Sequence, residues 1–207
     1  MIIMNNINSI LPKIILQSFL LLFTLLVFAV PPAQSKESPL SADEKKVLKI
    51  LRITPATQWI EAHDFAGEMM GAKTVNLKDY RGRFVLLNFW ATWCSPCLKE
   101  MPDLEKAYLQ MGQEKMVVLA VGMGESVEKI KAFFDKYSFS FPLLADNKME
   151  ITKLYGVRNI PVTYLIDPDG IVLGRALGIR DWASQDLLAF IDSRLKLEVM
   201  LNNKQNL

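Results

Sequence analysis

Two cysteines separated by two residues are the side chains of this sequence best suited to covalent chemistry. Cys94 and Cys97 are the only cysteines in the chain of 207 residues, and they flank the dipeptide Ser-Pro. A thiolate is the attacking species in thiol–disulfide exchange, and the N-terminus of a helix stabilises negative charge. If the pair begins a helix, we expect Cys94 to be exposed and to act as the nucleophile, while Cys97 resolves the mixed disulfide.

Metal binding is the main alternative for a cysteine pair, because the same spacing occurs in zinc sites. A structural zinc site needs about four protein ligands, and this sequence holds no second cysteine pair. His63 is the only histidine, and it lies next to Asp64 in a different segment. A lone histidine of this sort is more often a surface or turn residue than a ligand. We therefore expect a redox-active disulfide between Cys94 and Cys97 and no metal.

A strand and a helix are predicted on either side of the cysteine pair. Residues 84–90 form a mostly apolar run, which is typical of a buried central strand and ends close to Cys94. Pro96 suits the first turn of a helix, where its missing N–H is not needed. Apolar side chains continue with helical spacing at Leu98, Met101, Leu104 and Tyr108. Pro102 removes a backbone hydrogen bond and should kink this helix.

Strands and helices alternate along the rest of the chain. The predicted strands are 116–121, 141–145, 161–166 and 171–176, with a tight turn at 167–170. The predicted helices cover 127–137, 147–155 and a last segment from 187 to 195. This order predicts an α/β fold with a central mixed β-sheet, parallel strands at its centre and helices on both faces.

The N-terminal segment differs in composition from the rest of the chain. Residues 14–30 carry no charge, Lys13 precedes them, and small residues at 33 and 35 suit cleavage by a signal peptidase after Ser35. A run of about 17 uncharged and mostly apolar residues also reaches the shortest length that spans a bilayer, so retention as a membrane anchor stays open. Either outcome places the domain in the periplasm or another extracytoplasmic compartment, where disulfides persist.

Length and charge bound the domain organisation and the partners. We predict a signal peptide or anchor at 1–35, a linker with one short helix at 36–57, a globular domain at 58–198 and a polar tail at 199–207. The net charge is +2, from 24 basic and 22 acidic residues. Such a balanced charge creates no field that recruits nucleic acid, so nucleic acid is not an expected partner.

Four short motifs surround the cysteine pair and the strand predicted at 161–166. They read Asn-Phe-Trp-Ala-Thr at 88–92, Trp-Cys-Ser-Pro-Cys at 93–97, Lys-Glu-Met-Pro at 99–102 and Gly-Val-Arg-Asn-Ile-Pro at 156–161. Together they resemble the TlpA/ResA-like branch of the thioredoxin superfamily, over residues 62–197. The resemblance implies a thioredoxin-like fold with an inserted helix-strand element within 125–155. This branch is typically exported or membrane-anchored and often reductive.

The resemblance also assigns roles in substrate binding. It implies a cis peptide bond before Pro161, opposite the cysteines, and pairing of the Ile160 backbone with a substrate chain. A trans proline at the start of a strand is the alternative. Trp93 is expected to form an apolar docking surface beside the sulfur, whereas Trp90 is expected in the core.

Glu100 is the carboxylate that the resemblance links to catalysis. It follows Cys97 by three residues, so both side chains lie on the same side of the helix. In ResA-like proteins the matching glutamate takes part in proton handling, and the alternative is an ordinary solvated glutamate. Asn88 stands where thioredoxin has a buried aspartate. Any carboxylate assistance must therefore come from Glu100 or from water.

The segment 178–182 is interpreted as structural. Gly178 is expected to form a turn, Asp181 to cap the last helix and Trp182 to pack in the core. No part in the chemistry is expected for these residues.

The predicted activity is the reduction of disulfides in exported proteins by dithiol–disulfide exchange. Electrons are expected from a membrane thiol–disulfide donor, because the sequence holds no flavin or nicotinamide motif and needs no cofactor. A disulfide oxidase or isomerase stays open, since potentials within this fold run from about −270 to about −120 mV. A copper-delivery module of the same fold would need a late histidine. A thiol peroxidase would need a threonine where Ala91 stands.

Overall fold

The computed structural model of the protein describes residues 37–69 and 73–205. The predicted signal peptide or anchor at 1–35, with its apolar run at 14–30, lies outside the described residues. Within the two described ranges, no helix is long and apolar enough to cross a membrane.

A mixed sheet runs through the described part of the chain. Its strands are β1 (Thr54–Pro55), β2 (Ala66–Met69), β3 (Lys73–Asn76), β4 (Phe84–Trp90), β5 (Met116–Met123), β6 (Leu143–Asp146), β7 (Val162–Ile166) and β8 (Val172–Leu177). Across the sheet they follow the order β1-β8-β7-β4-β5-β6-β2-β3. β5 is parallel to both β4 and β6, and the other neighbouring strands are antiparallel. The predicted mixed sheet with a parallel centre is confirmed.

Helices cover both faces of this sheet. They are α1 (Ala42–Ile50), α2 (Ser95–Met111), α3 (Val127–Phe134), α4 (Glu150–Leu154) and α5 (Gln185–Gln205), with a 3₁₀ turn at Leu77–Tyr80. One apolar core contains buried residues of α2 and α5, such as Leu104 and Ile191. A second core contains Leu77 and, from α4, Ile151. The predicted helices on both faces are therefore present.

β4 is the strand that leads to the cysteines. All seven of its residues are buried, as expected for a central strand covered on both sides. Phe84, Leu86 and Trp90 belong to the core that α2 covers. Because side chains alternate along a strand, Asn88 lies on the same side as these three residues. A polar amide is thus placed beneath α2.

α2 begins directly after Cys94 and presents one buried side to the sheet. Its buried residues are Cys97, Glu100, Met101, Leu104, Ala107 and Tyr108. This spacing of three and four residues is that of a single helix face. Pro102 lies inside the helix, which nevertheless continues to Met111.

The short helix predicted within 36–57 is present as α1, but the segment is packed on the domain instead of forming a separate linker. It contains α1 and β1, and β1 pairs with β8. Leu48 of α1 is fully buried, and the Arg194 guanidinium of α5 lies 3.1 Å from the Glu44 carboxylate of α1. Ser41 forms a capping box at the start of α1. The apolar positions of α1 need a surface to cover them, and the domain supplies it.

α5 and the sheet edge also extend farther than the sequence analysis predicts. α5 runs to Gln205 and so includes most of the predicted polar tail at 199–207. The unpredicted strands β2 and β3 pair with each other and extend the sheet beyond β6.

Candidate active site

A disulfide between Cys94 and Cys97 lies at the start of α2. Cys94 is the N-cap residue with an extended backbone, and its Cα lies 5.3 Å from that of Cys97. The Cys97 N–H donates to the Cys94 sulfur at 3.3 Å. A negative charge on that sulfur would meet this N–H and the positive end of the helix dipole. The site therefore favours the thiolate form of Cys94.

The burial of the pair corrects one expectation. Cys94 was expected to be exposed, but it is only 4% exposed, and Cys97 is 1% exposed. The disulfide and the Cys97 N–H turn the Cys94 sulfur back over the first turn of α2. Trp93, directly before the pair, is 65% exposed. The exposed apolar surface at this site is thus that of the tryptophan.

The loop before β7 reaches the same edge of the sheet as the cysteines. Val162, the first residue of β7, lies opposite Phe89 near the end of β4. The peptide bond between Ile160 and Pro161 is cis, as the resemblance implies. The Gly178 N–H donates to the Pro161 carbonyl oxygen at 2.8 Å. Pro161 therefore lies at the end of β4 from which the chain continues to Cys94.

Glu100 is buried rather than solvated. Its side chain is 1% exposed, one turn after Cys97 on α2. The Asn88 Nδ2 donates to Glu100 Oε1 at 2.9 Å, and the Trp182 Nε1 donates to Glu100 Oε2 at 3.1 Å. Asn88 Nδ2 also lies 2.9 Å from the Thr163 hydroxyl, on the neighbouring strand β7. Four buried polar side chains thus form one network beside the cysteine pair.

Burial in this network raises the pKa of Glu100 to about 7. The loss of solvation is the main cause, because an apolar surrounding penalises the charged form. The hydrogen bonds from Trp182 and Asn88 and the positive charge of Arg180 act in the opposite direction. A carboxyl group in this state can exchange a proton near neutral pH.

Trp182 is the site residue that the sequence analysis missed. It is expected there only to pack, and it is indeed 1% exposed, yet its indole N–H binds the Glu100 carboxylate. The two residues are 82 positions apart, so no local spacing could indicate the contact. The prediction for Asp181 is wrong. Asp181 accepts from the Ala183 N–H in a turn, whereas α5 begins only at Gln185.

A second buried carboxylate holds the segment in front of Cys94. Glu125 is 0% exposed, and its Oε1 accepts from the Thr92 N–H at 3.3 Å and from the Thr92 hydroxyl at 3.0 Å. The Lys129 ammonium lies 3.0 Å from the same oxygen. Thr92 precedes Cys94 by two residues, so Glu125 fixes the approach to the nucleophile. No sequence motif indicates this role of Glu125.

The chain and its fold have relatives among known proteins. A model of the AhpC/TSA family matches residues 60–175. Thiol-disulfide oxidoreductase ResA of Bacillus thuringiensis subsp. konkukian is 38% identical over 118 residues, which cover 57% of this chain and 68% of that protein. The resemblance to ResA-like proteins is confirmed.

Two solved structures confirm the thioredoxin-like fold. The thiol:disulfide interchange protein DsbE of Chlorobium tepidum has a TM-score of 0.60 and 30% identity, and the match covers 66% of this chain and 96% of that one. The exposed lipoprotein thioredoxin Etrx1 of Streptococcus pneumoniae has a TM-score of 0.54 and 31% identity, with coverages of 65% and 98%.

Proposed function

The chain belongs to the AhpC/TSA family and resembles its thiol-disulfide oxidoreductases, and we propose that it reduces disulfides of exported proteins through Cys94 and Cys97. The observation that carries the proposal is the Cys94–Cys97 disulfide at the N-terminus of α2, where a thiolate is stabilised. The identity of 38% to a protein named thiol-disulfide oxidoreductase supports the same activity.

The reaction begins with the reduced pair. The Cys94 thiolate attacks one sulfur of a partner disulfide, a mixed disulfide forms, and the other partner sulfur leaves as a thiolate. Cys97 then loses its proton and attacks the Cys94 sulfur, which releases the second partner sulfur. The partner gains two electrons and two protons, and the Cys94–Cys97 disulfide is formed. A second dithiol must then return two electrons to the pair.

Glu100 is proposed to handle the proton of Cys97. It lies on the same side of α2 as Cys97, one turn later, and both side chains are buried. Its pKa of about 7 leaves an appreciable fraction ionised at neutral pH, so it can accept a proton there and later return it. Because the Cys97 thiol is buried, bulk water has poor access to it. A buried base such as Glu100 can accept the thiol proton in place of water.

Trp93, Ile160 and Pro161 are proposed to bind the substrate chain. Trp93 is exposed beside the pair and offers an apolar surface to residues that flank a substrate cysteine. The loop at Ile160 and Pro161 ends at the same sheet edge. An extended substrate segment could pair with the Ile160 backbone there, as in other cases of strand addition.

The compartment and the electron donor complete the proposal. The apolar segment at 14–30 favours export or anchoring, and one structural relative is named an exposed lipoprotein. In an oxidising compartment, the pair needs a source of electrons. We propose a membrane thiol–disulfide carrier as the donor, which passes electrons by the same exchange chemistry.

Mixed-disulfide trapping tests the proposal. Cys97→Ser removes the resolving sulfur, so we expect it to accumulate covalent complexes with disulfide-containing exported proteins that dithiothreitol releases. Cys94→Ser is the matched control and should form none, because the nucleophile is gone. Complexes that form equally with both variants, or with neither, would contradict the assigned roles.

A further inference from the structure

The indole of Trp182 is hydrogen-bonded to the buried carboxylate of the active site. Its Nε1–H donates to Glu100 Oε2 at 3.1 Å, while Asn88 donates to Oε1 at 2.9 Å. Both Trp182 and Glu100 are 1% exposed. Each carboxylate oxygen is therefore held by a different neutral donor, one from β4 and one from the segment before α5.

A second buried tryptophan shows that this contact is specific. Trp90 is 0% exposed and belongs to the same apolar core as Trp182. Its Nε1 has no hydrogen-bond partner among the described residues. Of these two buried tryptophans, only Trp182 donates its N–H to an ionisable group.

We propose that Trp182 is a positioning residue for Glu100. Its indole N–H fixes the orientation of the carboxylate beside Cys97 and stabilises the ionised form of that carboxylate. A hydrogen bond to a charged acceptor is stronger than one to a neutral acceptor, so Trp182 favours release of the proton. The importance of the Trp182–Glu100 hydrogen bond for catalysis rests on the proposed proton-handling role of Glu100.

The other groups that act on Glu100 keep a constant charge while Glu100 titrates. Asn88, which faces it from β4, is uncharged and does not titrate. Arg180 acts on the carboxylate through its charge and its backbone N–H. The guanidinium stays protonated over the whole accessible pH range, and it donates to the carbonyl oxygens of Arg52 and Ile179. Cys97 precedes Glu100 on α2 and does not titrate while the disulfide is intact.

The test is a direct titration of Glu100 in the oxidised full-length chain. The side-chain carboxyl carbon is followed by NMR in protein with labelled glutamate, and Glu100→Gln assigns its signal. Trp182→Phe should raise the pKa of Glu100 by about one unit, or about 1.4 kcal/mol, because the donor to the ionised form is lost. Trp90→Phe removes the same volume from the same core and should leave this pKa unchanged.

Two results would overturn the inference. One is an unchanged titration in Trp182→Phe, and the other is an equal shift in both variants, which would reveal a packing effect. If Trp182→Phe does not fold, benzothienylalanine at position 182 replaces the N–H by sulfur at nearly equal volume, with the same upward shift expected. The titration uses no partner protein, so its outcome is independent of the trapping experiment.

Discussion

Glu100 and Glu125 are two buried glutamates that both follow the cysteine pair in sequence, and their hydrogen-bond partners differ. Glu100 is 1% exposed and Glu125 is 0% exposed. Glu100 is hydrogen-bonded by the neutral donors Asn88 and Trp182. Glu125 is bonded by Thr92 and also by the Lys129 ammonium at 3.0 Å. One buried charge is compensated by a cation in contact with it, and the other is not.

The difference shows that partners, and not burial alone, decide what a buried carboxylate can do. The bonds from Thr92 and Lys129 hold the Glu125 carboxylate in place, which suits a structural anchor. Neutral donors compensate only part of the lost solvation, so the pKa of Glu100 rises to about 7. The chain thus places a group suited to proton exchange next to Cys97 and an anchor next to Thr92.

The largest expected effect is the pH dependence of stability that Glu100 causes. Its pKa rises from an ordinary 4.5 to about 7 in the folded protein. Between these values the folded state holds a proton that the unfolded state has released, so stability falls as pH rises through this range. Glu100→Gln removes this loss and should increase the free energy of unfolding at pH 8 by about 3 kcal/mol at most.

Denaturant unfolding at two pH values measures this effect. The gain in Glu100→Gln should be present at pH 8 and absent at pH 4, where the carboxyl is protonated in both states. Glu114→Gln, at an exposed position, is the control and should change stability little at either pH. A gain in Glu100→Gln that is the same at both pH values would contradict the assigned ionisation.

Removal of the cation beside Glu125 should lower the free energy of unfolding, by less than Glu100→Gln raises it. Lys129→Met removes the cation and leaves a fully buried carboxylate. Breaking a fully buried pair costs about 3–5 kcal/mol, but the Lys129 side chain is 53% exposed. We therefore expect a loss of about 2 kcal/mol at pH 8, measured by denaturant unfolding.

Lys131→Met is the matched control for this prediction. Lys131 lies on the same helix, is exposed, and forms no ion pair within the described residues. Its substitution should leave the free energy of unfolding nearly unchanged. Equal losses for Lys129→Met and Lys131→Met would show that the Glu125 ion pair contributes nothing.

The smallest effect is expected at Thr92. Thr92→Val removes the hydroxyl that donates to Glu125 and keeps the backbone N–H bond. The loss of one hydrogen bond should lower the free energy of unfolding by about 1 kcal/mol. Thr92→Ser retains the hydroxyl and should lose less. A valine variant that is no less stable than the unmodified protein would contradict the contribution assigned to the hydroxyl.

The sequence predicts β4 and α2 well because both have strong local signals. Residues 84–90 are apolar apart from Asn88, and Pro96 marks a helix start directly after Cys94. The burial of Glu100 also had a signal, since it lies three residues after Cys97 and four before Leu104 on the apolar side of α2. That spacing favours a buried glutamate over a solvated one.

Contacts between distant segments could not be predicted in this way. Trp182 meets Glu100 only after β8 and the turn at Gly178 have brought the two together. α1 similarly has an amphipathic pattern, but nothing local indicates that it packs on the domain. β2 and β3 are strands of four residues that pair with each other, and β2 also pairs with β6, far away in sequence. Their short length leaves too little periodicity to recognise them.

The equilibrium reduction potential of the Cys94–Cys97 pair tests the proposed direction of the reaction most directly. The full chain is equilibrated in dithiothreitol or glutathione redox buffers, and the fraction of disulfide is measured by thiol alkylation. A reductase should have a potential near that of thioredoxin, about −270 mV. A potential near that of DsbA, about −120 mV, would contradict the account and identify an oxidant.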